Sequence, residues 1–113
     1  MEIRNTDGFS GLFATQYYKA NEIIHTLSGE ILQYPTRTSI EINTNTHIED
    51  KYGQMMNHSF EPSCCIQDGY IVTLKDIVSG EELTFNYNEN ETKMKCPFID
   101  RETNTVVSGK YSD

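Results

Sequence analysis

Met56-Asn57-His58-Ser59-Phe60-Glu61-Pro62-Ser63-Cys64 sets a polar triplet, Asn57-His58-Ser59, directly after the apolar approach of Tyr52, Met55 and Met56. Taken alone, the triplet fits a glycosylation sequon, a turn, part of a metal or nucleophile site, or a cofactor clamp. The residues around it decide which of these survive.

The N-terminus, MEIRNTDG, lacks the apolar core of a signal peptide, and no apolar run approaches the length of a bilayer. An intracellular protein, cytoplasmic or nuclear and not membrane-bound, is therefore expected. There neither Asn57-His58-Ser59 nor Asn90-Glu91-Thr92 meets the glycosylation machinery. Cys64 and Cys65 are adjacent and Cys96 is distant, an odd count without CxxC, so reduced thiols are the default. Vicinal cysteines with His58 match no standard zinc spacing, and no metal is expected. Ser59 beside His58 is no nucleophile elbow, because G-x-S-x-G is absent. Gly8-Phe9-Ser10-Gly11 matches neither GxGxxG nor the P-loop and reads locally as a turn.

The 113 residues, 36% of them hydrophobic, suffice for one domain with a modest core. Nine Lys and Arg against 17 Asp and Glu leave a formal charge of -8. That charge argues against direct nucleic-acid binding and favours a basic partner such as a lysine-rich segment. The oligomeric state is not readable.

Helical periodicity is nearly absent. Short β-rich runs alternate with turn chemistry: Gly11 to Ala14, Glu22 to Leu27, Glu30 to Tyr34, Ser39 to Ile42, Tyr70 to Leu74 and Leu83 to Tyr87. Asp7-Gly8, Ser28-Gly29, Asp68-Gly69 and Ser79-Gly80 can each supply a positive φ, and Asp68-Gly69 predicts a hairpin. Only Asp50 to Met56 reads as a helical turn. His25 and His47 are taken as satisfied structural histidines without a functional role. A strand ending in Phe85 and Tyr87 puts both rings on one face.

In order and together, three blocks resemble the SET domain of protein-lysine methyltransferases. Gly11-Leu12-Phe13-Ala14, preceded by Gly8-Phe9-Ser10, is similar to the family's N-terminal cofactor loop. Asn57-His58-Ser59-Phe60-Glu61-Pro62-Ser63-Cys64 resembles its Asn-His-Ser-x-x-Pro-Asn-Cys signature, and Gly80-Glu81-Glu82-Leu83-Thr84-Phe85-Asn86-Tyr87 its Gly-Glu-Glu-Leu-Thr-x-x-Tyr. The resemblance implies a mainly-β, β-clip SET fold of short strands and small sheets with a C-terminal pseudoknot. It implies a SET domain over residues 1–90 and a short tail, 91–113, without the zinc cysteines of many relatives.

For function, the resemblance implies transfer of a methyl group from S-adenosylmethionine to a lysine amine of a basic protein, histones among the candidates. Gly8, Phe9, Ser10, Gly11, Leu12, Asn57 and His58 would bind the cofactor, with Phe98 of the tail covering its adenine. Tyr87 would be the catalytic residue, and Phe85 and Tyr87 would line the lysine channel. A phenylalanine at the place of Phe85 resembles the state that permits more than one methyl. The sequence departs from the pattern at Ser63, in place of Asn, and at Leu27, where many members carry a channel tyrosine two residues before a Gly-Glu like Gly29-Glu30. The alternative, a catalytically inert SET-like module that binds cofactor or a lysine-bearing partner, rests on Leu27 and the missing zinc segment.

Overall fold

The computed structural model describes residues 1–6 and 8–110. Strands β1 (Glu2–Thr6) and β2 (Phe9–Phe13) open the chain as an antiparallel hairpin, from Glu2 opposite Phe13 to Thr6 opposite Phe9. Then come β3 (Ile23–Thr26), β4 (Glu30–Leu32), β5 (Ile40–Asn43), β6 (Thr46–Glu49) and a 3-10 turn at Gly53–Met55. Strands β7 (Asn57–His58), β8 (Cys64–Gln67), β9 (Tyr70–Thr73) and β10 (Glu82–Phe85) lead to a single helical turn, α1 (Tyr87–Asn90). A last hairpin joins β11 (Phe98–Asp100) to β12 (Thr105–Val107). The strands form small sheets in the orders β1-β2-β10-β7, β3-β9-β8, β4-β6-β5 and β11-β12, so the expected class, mainly β with short strands, is the one observed.

The central feature is β10. Its Leu83 stands opposite Leu12 of antiparallel β2, and both are fully buried. A buried leucine of this kind stabilises the fold by about 1.5–3 kcal/mol. On the other edge β7 runs parallel to β10, with Asn57 opposite Thr84 and His58 opposite Phe85, and the Ser59 amide donates to the Phe85 carbonyl at 3.1 Å. Parallel neighbours need a crossover. Here residues 59–81 supply it, and they contain the β8–β9 hairpin. Asp68 (φ +52°) and Gly69 (φ +81°) turn that hairpin in two residues, the conformation that matches the natural twist of the strands. The N-terminal hairpin, the Asn57–His58 segment and the Leu83–Phe85 strand thus become neighbours.

One expected boundary differs. The last strand stops at Phe85, because Asn86 adopts an extended cap conformation and its side chain accepts the Asn88 amide at 2.9 Å. Asparagine is among the strongest N-cap residues, so Tyr87 begins a helical turn rather than ending a strand. The tail is stitched to that turn: Asn88 Oδ1 accepts the amides of Ser108 and Gly109 at 3.0 Å, and Glu91 O accepts the amide of Lys110 at 2.7 Å.

Candidate active site

Three elements meet at Asn57. Its Nδ2 donates to the Ser10 carbonyl at 2.7 Å and to Glu82 Oε2 at 2.7 Å. One carboxamide therefore clasps β2 to the start of β10. The approach leaves no room for a side chain on β2: a Cβ on Gly11 would lie 2.8 Å from Glu82 Oε2 and 3.2 Å from Asn57 Nδ2. Glycine stands at position 11 because these two polar groups press against the backbone.

His58 is fixed from the other side. The amide of Tyr87 donates to His58 Nδ1 at 3.0 Å, which leaves the ring proton of the neutral form on Nε2. Burial pushes the imidazole below its ordinary range, against the opposing charge of Asp100, so the neutral form is favoured. His58 Nε2 is buried and has no hydrogen-bond partner among the described residues. An orphaned donor of this kind calls for an acceptor that the chain itself does not provide.

Around this ring the aromatic side chains gather. Phe60, Tyr87 and Phe98 stand edge-on to His58, with centroids 4.3, 5.2 and 6.2 Å away, and Phe85 lies 4.8 Å from Tyr87. The Tyr87 hydroxyl donates to the Met56 carbonyl. Burial, and then the charges of Glu91 and Glu82, raise its ionisation well above the usual phenol range. Tyr87, Phe85 and Met56, with Ile40 and Met94, line a narrow cleft of about 40 Å³. A wider hollow of about 380 Å³ opens at His58, Ser59, Phe60 and Asp100. Tyr87 faces the first by its lining position and touches His58 of the second.

The candidate residues are thus distributed unevenly. Ser10, Gly11, Asn57, His58, Phe85, Tyr87 and Phe98 converge. Leu12 does not join them: the whole residue is 0% exposed and belongs to the core. Gly8 lies at the exposed hairpin turn with φ +79°, and Phe9, 48% exposed, rests edge-on to Phe13. Leu27 is buried in the core behind the cleft wall, its side chain packed against Gly53, which lines the cleft.

Several functional-looking groups escape a reading by motif. Glu82 belongs to a quoted block, but its grip on Asn57 is set by three-dimensional approach. Asp50, buried, accepts from the amides of Ser28, Tyr52 and Gly53 and faces His25 Nε2 at 3.0 Å. His25 therefore has the structural partner expected of it. His47 does not: it is 4% exposed, and its Nδ1 has no partner among the described residues.

The SET domain family model matches residues 10–88. That is well over half of the chain, and the chain belongs to the SET-domain family. SET domains are in general S-adenosylmethionine-dependent protein-lysine methyltransferases. No curated protein matches the chain at a significant level. No helix among the described residues is long and apolar enough to cross a membrane.

The site suits the family's cofactor on its own geometry. His58 Nε2 offers an unused donor, and Phe98 adds an apolar ring 6.2 Å from His58.

Proposed function

We propose that the chain is a protein-lysine N-methyltransferase that moves a methyl group from S-adenosylmethionine to a lysine amine in a basic protein segment, histone tails being candidate substrates. The observation that carries this reading is the position of Tyr87, whose amide holds His58 while its hydroxyl and ring line the neighbouring cleft. When bound, S-adenosylmethionine supplies an electrophilic methyl on a sulfonium. Ser10, Gly11, Asn57, His58 and Phe98 would hold it, with His58 Nε2 donating to one of its acceptors. Gly8 and Phe9 would take part through the hairpin turn.

Tyr87 orients rather than deprotonates. Its hydroxyl spends its proton on the Met56 carbonyl, so its oxygen is free to accept a hydrogen bond from the lysine amine. An ordinary lysine, of pKa about 10.4, costs roughly 4 kcal/mol to deprotonate near neutrality. Phe85, Met56, Ile40 and Met94 on the cleft wall lower that cost, because desolvation disfavours the ammonium, and Arg37 and Lys95 on the same wall act in that direction while Glu91 opposes them. Alignment of amine and methyl then supplies the rest of the barrier reduction. Phe85, without a hydroxyl, leaves room for a methylated amine to re-enter, which supports di- or trimethyl product. The excess of acidic residues supports a basic substrate.

The inert-module reading draws on Leu27, which follows β3 and is buried in the core, so that position offers the cleft no second tyrosine hydroxyl. Intact mass measurement of a panel of basic proteins, incubated with the chain and S-adenosylmethionine, separates the two. Increments of one or more methyl groups on lysine support the enzyme. Cofactor binding without any increment across the panel supports the module.

A further inference from the structure

Glu41 on β5, His47 on β6 and Glu91 directly after α1 are far apart in sequence and are 8%, 4% and 5% exposed. One carboxylate oxygen from each glutamate and one ring nitrogen of His47 lie within 4.8 Å of one another. Glu41 and His47 are opposite each other in the β5–β6 register, so the hairpin itself sets two of the three. The helical turn that begins with Tyr87 delivers the third.

The surroundings orient the carboxylates without completing them. Thr92 donates to Glu41 from its amide at 2.8 Å and from its hydroxyl at 2.7 Å, and the Glu41 amide donates to Glu91 Oε2 at 3.0 Å. Asn90 Nδ2 donates to the same Oε2 at 2.5 Å. Among the described residues Glu91 Oε1 accepts no hydrogen bond, and the His47 ring makes none. His47 Nδ1 is entirely buried and unpaired. Two carboxylates this close in a dry site repel each other, and an unpartnered buried imidazole nitrogen adds its own desolvation cost. A cation between them removes the repulsion and gives one nitrogen of the unpaired ring a partner.

We propose that Glu41, His47 and Glu91 form a binding site for one divalent transition-metal ion, with water completing its coordination. Two carboxylate oxygens and one imidazole suit zinc, manganese or cobalt rather than calcium or magnesium, which prefer all-oxygen sites. Bonds of about 2.0–2.2 Å at tetrahedral angles set the donors of one ion roughly 3.3–3.6 Å apart, so donors now within 4.8 Å of one another close by up to about an ångström on loading. The contacts from Thr92 and Asn90 are of the kind that hold metal-binding carboxylates in place. The cysteine spacing that speaks against a zinc site says nothing about these three residues. Loading would clamp the turn after Tyr87 to the β5–β6 hairpin.

The test uses the untagged whole chain, stripped with chelator and titrated with zinc and manganese by calorimetry and with cobalt by absorbance. Expected are one ion per chain, a rise in melting temperature, and a cobalt spectrum without a thiolate charge-transfer band. Glu91→Gln and His47→Gln should each weaken binding roughly tenfold or more, while a variant with all three cysteines changed to serine keeps it. Absence of saturable binding by the wild type, a thiolate band, or unchanged affinity in both ligand variants overturns the proposal. If either variant fails to fold, the wild-type stoichiometry and cobalt spectrum decide alone. None of these readouts depends on methyl transfer.

Discussion

The backbone amide of Tyr87 donates to His58 Nδ1 at 3.0 Å, so the segment expected to hold cofactor and the turn expected to carry the catalytic hydroxyl are joined by one bond. The bond requires an unprotonated Nδ1. Burial already lowers the affinity of His58 for a proton. Its folded value lies below the unfolded one of about 6.5, so the contribution is fully present above about pH 6.5 and is lost as pH falls toward the folded value. S-adenosylmethionine affinity, measured by calorimetry, should therefore weaken as pH falls through the lowered folded value of His58. His58→Asn should bind more weakly throughout and lack that acid limb. An unchanged limb in the variant would assign the effect to another group.

Asn57 joins Ser10 to Glu82, and Asn57→Asp replaces a shared donor with a second carboxylate 2.7 Å from Glu82 Oε2. Asn57→Ala loses the bonds and leaves their acceptors unmet, at about 1–3 kcal/mol. The aspartate adds like-charge repulsion and should melt lower than the alanine. Gly11→Ala should likewise destabilise, because its Cβ meets Glu82 Oε2 at 2.8 Å. Thermal melts of the three variants check the order, and an aspartate as stable as wild type would show that the clasp is not made in solution.

Much of this was legible in the sequence, for reasons that particular residues make plain. Turn chemistry at Asp68-Gly69 is local, and the hairpin it predicts is present with both φ values positive. The convergence of Asn57, His58 and Tyr87 came only through the resemblance, since a parallel β7–β10 pair joins residues that no local pattern relates. The stop at Phe85 was missed because the apolar alternation of Leu83, Phe85 and Tyr87 reads as strand, whereas the Asn86 side chain caps a helix against it. Strand β6 and the cluster of Glu41, His47 and Glu91 left no signal either. Two glutamates and a histidine at unrelated spacings look like surface residues until the β5–β6 register and the end of α1 bury them together.

Asp50 provides a test of what holds the fold around the site. Burial by itself would raise its carboxyl, but the amides of Ser28 and Gly53 and the His25 side chain outweigh that and hold it below the usual carboxylate range. A depressed folded value means stability present above the unfolded pKa of about 3.9 and lost as pH falls through the folded one. Asp50→Asn puts an NH2 where an oxygen accepts, and should cost about 2–3 kcal/mol at neutral pH, or roughly 10 °C of melting temperature. The acid-induced loss of stability below about pH 4 should be shallower in the variant. A variant as stable as wild type at pH 7 would show that the carboxylate is not the hub its contacts describe.

Tyr87→Phe separates an enzyme from an inert module. The ring keeps its contacts with His58, Phe85 and Phe98, and the amide bond to His58 is untouched because it comes from the backbone. What disappears is the hydroxyl, and with it the donor to the Met56 carbonyl. A buried acceptor left unmet costs about 1–3 kcal/mol, so the variant should melt several degrees lower yet remain folded. Cofactor affinity should stay within a few-fold, since no proposed cofactor contact uses the hydroxyl. Turnover should fall by about a hundredfold or more, the effect of losing one positioned group that acts mainly in the transition state. Calorimetry with S-adenosylmethionine beside methyl transfer to a basic protein reads both quantities in the same samples. Undiminished transfer would place the orienting group elsewhere, and transfer by neither protein, with cofactor bound by both, would make the chain a binding module.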